Sequence, residues 1–99
     1  MMPEPAFHLA ALFVEIHIPD SGSLKSKRKV LKSIKDRVRS RFNVSVAEMD
    51  YHDKWQRSLL GFSMIGNDKN YLESSLRQIS SLLQGIDSVE MLREQIDYF

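Results

Sequence analysis

Two stretches of this sequence carry side chains dense enough in chemistry to suggest a site. In the first, Glu48, Asp50, His52, Asp53, Trp55, Gln56 and Arg57 fall within ten residues. Carboxylates and an imidazole can bind a metal or move a proton. Their spacing matches no recognised ligand pattern, and a polar hairpin tip has this composition by default. On a strand, Glu48 and Asp50 share a face that His52 joins only if the strand continues. Metal binding and catalysis are therefore the weaker readings, and no cofactor is called for. Trp55 is more specific. A tryptophan in a polar loop more commonly folds back as a plug on a sheet; otherwise it stays available for stacking, and Lys54 and Arg57 beside it suit a base.

The second stretch is basic. Residues 25–41 hold nine lysines and arginines against Asp36 alone, a net of +8, while residues 1–24 carry −3 and residues 42–99 carry −4. The overall charge of +1 conceals this dipole. At 100° per residue, Lys25, Arg28, Lys29, Lys32, Lys35 and Arg39 occupy an arc of about 120°. From Lys25 to Arg39 the ridge is roughly 21 Å long. Cations spaced along a rigid rod suit a phosphate backbone, where each neutralised phosphate releases a counterion. A charged helix face is usually no more than a solvated one. Such faces normally mix signs at i,i+4 spacing, whereas this one leaves like charges nearly uncompensated.

The elements that would position these groups follow from hydrophobic periodicity. Phe7 to Ile18 alternates, with Ala10, Leu12, Val14, Ile16 and Ile18 on one face, which predicts a strand. The other face runs from apolar (Phe7, Leu9, Ala11, Phe13) to polar (Glu15, His17). Pro19 to Ser23 breaks the strand, and Ser23 is a natural N-cap for a helix running to about Ser40. Leu24, Val30, Leu31, Ile34, Val38 and Phe42 form its apolar stripe. Asn43 to Tyr51 and Ser58 to Gly66 predict two strands joined as a hairpin. Asn67 or Asp68 caps a second helix with Leu72, Leu76, Ile79, Leu83 and Ile86 on one side, and Gly85 ends it. Val89 to Phe99 predicts a fourth strand at an edge.

The order β-α-β-β-α-β predicts an α+β, ferredoxin-like sandwich: a four-stranded antiparallel sheet with two helices on one face. Residues 7–99 are expected to form this one domain, preceded by a loose extension over residues 1–6. The bare sheet face offers a surface for a homodimer through Phe7, Leu9, Ala11 and Phe13. RNA-recognition motifs share the element order, but Leu60 to Ile65 fits their aromatic signature only at Gly61, Phe62 and loosely Ile65. The chain contains no cysteine, which excludes disulfides and thiolate metal sites. No apolar run approaches the twenty residues of a membrane span. A cytoplasmic location is the expectation.

Three segments together carry a family likeness. Ser23-Leu24-Lys25 with Lys27-Arg28, then Arg41 to Glu48 (RFNVSVAE), then Asp53 to Arg57 (DKWQR) resemble the YlxP-like family of short bacterial proteins. Ser26 stands where that family usually has Glu, which removes the second half of a capping box, and the residues before Phe7 extend the usual start. The resemblance implies a ferredoxin-like fold. It also implies a ribosome- or RNA-associated role, since the family's genes often neighbour those for ribosome maturation factors. The sequence thus reads as a non-enzymatic RNA- or ribosome-associated module. Lys25, Arg28, Lys29, Lys32, Lys35 and Arg39 would contact phosphate, and Trp55 and Arg57 would add local contacts. The alternative is a dimeric protein-interaction or ligand-binding regulatory domain.

Overall fold

A computed structural model describes residues 1–99. Strand β1 spans His8–His17, helix α1 Leu24–Arg41, β2 Ser45–Asp50, β3 Arg57–Gly66, α2 Lys69–Gln84 and β4 Glu90–Tyr98. The strands form one sheet in the order β2-β3-β1-β4, antiparallel throughout. This is the expected ferredoxin-like α+β arrangement, with β4 at an edge. Residues 1–7 are exposed and carry no regular secondary structure.

Alternation in the strands decides what lies under the helices. Ala10, Leu12, Val14, Ile16 and Ile18 are buried, joined by Leu60, Phe62 and Met64 of β3 and Val46 of β2. Leu31, Ile34 and Val38 of α1 and Leu72, Leu76, Ile79 and Leu83 of α2 complete the same core. Burying a side chain of this size contributes about 1.5–3 kcal/mol. Phe62, the residue nearest an RNA-recognition aromatic, is wholly buried in this core. It is unavailable for stacking a base.

Helix ends follow their caps. The Ser23 hydroxyl accepts from Ser26 N–H at 3.0 Å, and the Asp68 carboxylate accepts from the Asn70 and Tyr71 amides. Each satisfies donors that the first turn leaves unpaired. Gly85 closes α2. Beyond the expected apolar stripe, α1 also buries Lys27, one turn after its start.

On the opposite sheet face, Leu9 pairs across from Ile65 and Phe13 from Gly61. A Cβ at Gly61 would stand 3.0 Å from Met49 Cγ, so a larger residue there would displace the Met49 side chain. Phe7, Leu9, Met49 and Ile65 remain exposed. No helix is long and apolar enough to cross a membrane.

Candidate nucleic-acid interface

The cationic ridge survives folding as a ridge. Lys25, Arg28, Lys29, Lys32 and Arg39 are exposed and Lys35 half-buried. Lys32 pairs with Asp36 at 2.7 Å one turn on, and an exposed pair of this kind is worth only a few tenths of a kcal/mol. The Arg39 guanidinium donates to the Val46 carbonyl. The ion pairs of the molecule lie between His17 and Glu90, Lys27 and Glu48, Lys32 and Asp36, Arg57 and Glu15, Arg77 and Glu73, and Arg93 and Glu15. Lys25, Arg28, Lys29, Lys35 and Arg39 enter none of them. Glu48, paired with the buried Lys27, lines a recess beside Arg28, Lys32, Lys35 and Arg39 but forms an ion pair with none of them.

Lys27 does something different. Its ammonium donates to Glu48 Oε2 at 2.9 Å and to the carbonyls of Tyr51 at 2.8 Å, Arg57 at 3.3 Å and His52 at 3.4 Å. Ser58 Oγ donates to the same Glu48 oxygen at 2.7 Å. Lys27 is 1% exposed. A charge removed from water this completely persists only when paired and hydrogen-bonded, and here each requirement is met. The consequence is mechanical: α1 is bolted to both ends of the β2–β3 connection. Lys27 was legible as an inward residue, because it lies three residues after Leu24 and four before Leu31.

The acidic and imidazole residues of the hairpin are dispersed rather than gathered. Glu48 points inward to Lys27. A register shift separates it from Asp50, where β2 ends, so the two carboxylates do not share a face. Asp50 accepts from the Tyr51 amide, and His52 Nε2 approaches the Glu48 carbonyl. No three His, Asp or Glu side chains come together in a metal-binding arrangement.

Sequence reading missed a second buried charge. Glu15 lies on the bare sheet face yet is 3% exposed. Its carboxylate accepts from Arg57 at 2.9 Å, Arg93 at 3.1 Å and the Tyr51 hydroxyl at 3.2 Å. Arg57 also stacks over the Tyr51 ring, 4.5 Å from its centre. Tyr51 takes a left-handed backbone, φ 65°, the one non-glycine residue to do so. That conformation costs about 1 kcal/mol or more. Only pairing across strands brings Glu15, Tyr51, Arg57 and Arg93 to one point, so no local signal announces the cluster.

Trp55 does not plug the sheet. It is 55% exposed at the hairpin tip. The tip is held instead by Gln56, whose amide donates to the carbonyls of Pro19 and Ser21. Trp55 and Arg57 therefore sit beyond the N-terminal half of α1, on the segment that Lys27 fastens to that helix. Arg57, half exposed, pairs with Glu15 and stacks over Tyr51, while Trp55 keeps about half of its surface open.

Two stability outcomes follow. Lys27→Met leaves Glu48 without its counter-charge and frees three carbonyls, so it should cost about 3 kcal/mol in urea unfolding. The melting point should fall by roughly 15 °C, while Arg28→Met stays within about 0.5 kcal/mol of wild type. Glu15 titrates below its ordinary value of 4.5, chiefly through the Arg57 hydrogen bond, which outweighs desolvation, with Arg93 adding to it. The unfolded chain therefore holds this proton more readily. The stability Glu15 supplies is fully present above about pH 4.5 and is lost as pH falls through the lower folded value. Glu15→Gln should be less stable than wild type at pH 7, and the gap between their urea curves should narrow as pH falls below about 4.5.

Comparison with known proteins places this chain in a family. The chain is 35% identical over 85 residues to the uncharacterized protein YlxP of Bacillus subtilis (strain 168), a match covering 86% of this chain and 92% of that protein. The family described as "Protein of unknown function (DUF503)" matches residues 9–96, which hold every strand and helix but the first residue of β1 and the last two of β4. The protein belongs to this YlxP-like DUF503 family.

Proposed function

We propose that this protein is a non-enzymatic RNA- or ribosome-associated binding module that docks on phosphate through the exposed face of α1. The observation that carries the reading is the row of Lys25, Arg28, Lys29, Lys32, Lys35 and Arg39, in which Lys32 alone has an ion-pair partner, Asp36. Repulsion along such a row weakens the helix by a few tenths of a kcal/mol per close pair. A polyanion relieves that repulsion and gains counterion release. A membrane surface fits less well, because the opposite face of α1 is committed to the core and its exposed face offers no large apolar side chain to insert. With about four phosphates neutralised, log K for single-stranded RNA should fall against log salt with a slope near −3. The contacts are to backbone, so affinity should depend little on sequence.

A second reading has its own support in the bare sheet face. Phe7, Leu9, Met49 and Ile65 expose apolar surface there, as a dimer interface or ligand platform would. One experiment separates the two. Wild type and the Lys29→Glu/Lys32→Glu variant are compared by fluorescence anisotropy with labelled RNA across a salt series, and by light scattering without RNA. The first reading expects salt-sensitive binding that the charge reversal abolishes with unchanged melting. A stable dimer indifferent to RNA at low salt would replace it with the second.

A further inference from the structure

The hairpin end of the sheet holds a recess of about 540 Å³ whose walls are His17, Tyr51, Lys54, Trp55, Gln56 and Arg57. The recess is shallow and open to solvent along most of its surface. The walls differ in how they are held. Tyr51 is fixed by its hydroxyl on Glu15 and by the Arg57 guanidinium over its ring. Gln56 is tied to the β1–α1 connection through Pro19 and Ser21. The Lys54 amide donates to the Tyr51 carbonyl at 3.0 Å, closing the turn, and Lys27 holds that same carbonyl from beneath. Against this rigid frame stands Trp55, half of its surface open.

The chemistry of the walls is specific. Two aromatic side chains provide apolar planes, and stacking on such planes tolerates any base. The Lys54 ammonium enters none of the ion pairs of the molecule. Arg57 and Arg93 share the single carboxylate of Glu15, which leaves one guanidinium charge unneutralised beside the recess. Asp50 and Asp53, also on this hairpin, reduce the field but do not line the cavity. His17 at the far wall approaches Glu90 at 3.2 Å. A flat apolar group carrying one anionic substituent matches these features; a bare phosphate or an aliphatic acid matches only half of them.

We propose that this recess is a nucleotide subsite that takes one unpaired base against Trp55, with its phosphate toward Lys54 and Arg57. As a subsite for RNA it rests on the reading of α1 as a phosphate-binding face. The recess opens at the hairpin end of the bare sheet face and the ridge on the outer face of α1, with Lys27 joining the hairpin to the first turn of that helix. A strand leaving the N-terminal end of the ridge would pass round the hairpin tip to set one base in the recess. Single-stranded RNA would then be preferred over duplex, a distinction that α1 alone does not make.

Trp55 is the only tryptophan, so its emission reports the recess without a label. The full-length protein is titrated at low salt with adenosine 5′-monophosphate, a single-stranded RNA decamer, the same decamer made abasic, and inorganic phosphate. Adenosine monophosphate and the decamer should quench saturably, while phosphate and the abasic strand should not. Trp55→Ala should weaken decamer binding about tenfold, as loss of one stacked base does, and Trp55→Phe should recover most of it. Lys29→Glu/Lys32→Glu should leave quenching by adenosine monophosphate intact. If the decamer binds with Trp55 silent and Trp55→Ala binds as wild type, the subsite is overturned and the α1 reading stands. If adenosine monophosphate quenches but the decamer does not bind, the α1 reading falls and a free nucleotide becomes the ligand. Equal quenching by phosphate, or no binding of any probe, overturns the subsite.

Discussion

One buried ammonium organises the functional half of this molecule. Lys27 rises from the apolar face of α1 and ends among Glu48 and three carbonyls of the β2–β3 connection. An ion pair at such depth adds little net stability over a well-packed apolar pair, because desolvation offsets most of its attraction. What it supplies is geometry. The carbonyls can be satisfied only with the hairpin in one position, so the tip that bears Trp55 cannot swing away from the helix that bears the cationic ridge. The pair also converts a like-charge cluster into a split set: of nine cations, one lysine is turned inward and eight stay at the surface.

A second polar knot works on the other side of the sheet. Glu15 would be an exposed carboxylate on a bare face were it not roofed by Arg57, Arg93 and Tyr51. Its depressed titration and the raised value of Arg57 express the same attraction from both partners. The knot divides the face. Toward the other end lie the apolar residues Phe7, Leu9 and Ile65, and beyond the knot lies the aromatic and cationic recess. Tyr51 serves both parts, and its left-handed backbone is the local cost of aiming its ring across the sheet. Between them, Lys27 and Glu15 hold the hairpin from above and below, and they leave a rigid tip with a single unpinned indole.

The architecture was largely legible in advance because its signals are local. Period-two alternation in β1, the Leu72–Ile86 repeat of α2, and the caps Ser23 and Asp68 each act within a turn or a strand length. The expected bounds lie within two residues of the observed ones at nearly every end. The six-residue ridge was legible for the same reason, since helical geometry alone puts Lys25 through Arg39 on one arc. The hairpin was not. Whether Glu48 turns toward Asp50 or Lys27 depends on a register shift in β2, and whether Trp55 plugs the sheet depends on what already covers it.

By itself, then, the chain order determined the fold class, the faces of both helices and the existence of an uncompensated cationic row, because propensity and periodicity act between neighbours. Only the tertiary structure decided which charges are spent internally. Lys27 and Glu48 are 21 residues apart, and Glu15 and Arg93 are 78 apart. Electrostatic pairing over such separations is invisible to any local pattern. It exists only once the sheet has brought the groups within hydrogen-bonding distance and excluded the water that would otherwise screen them.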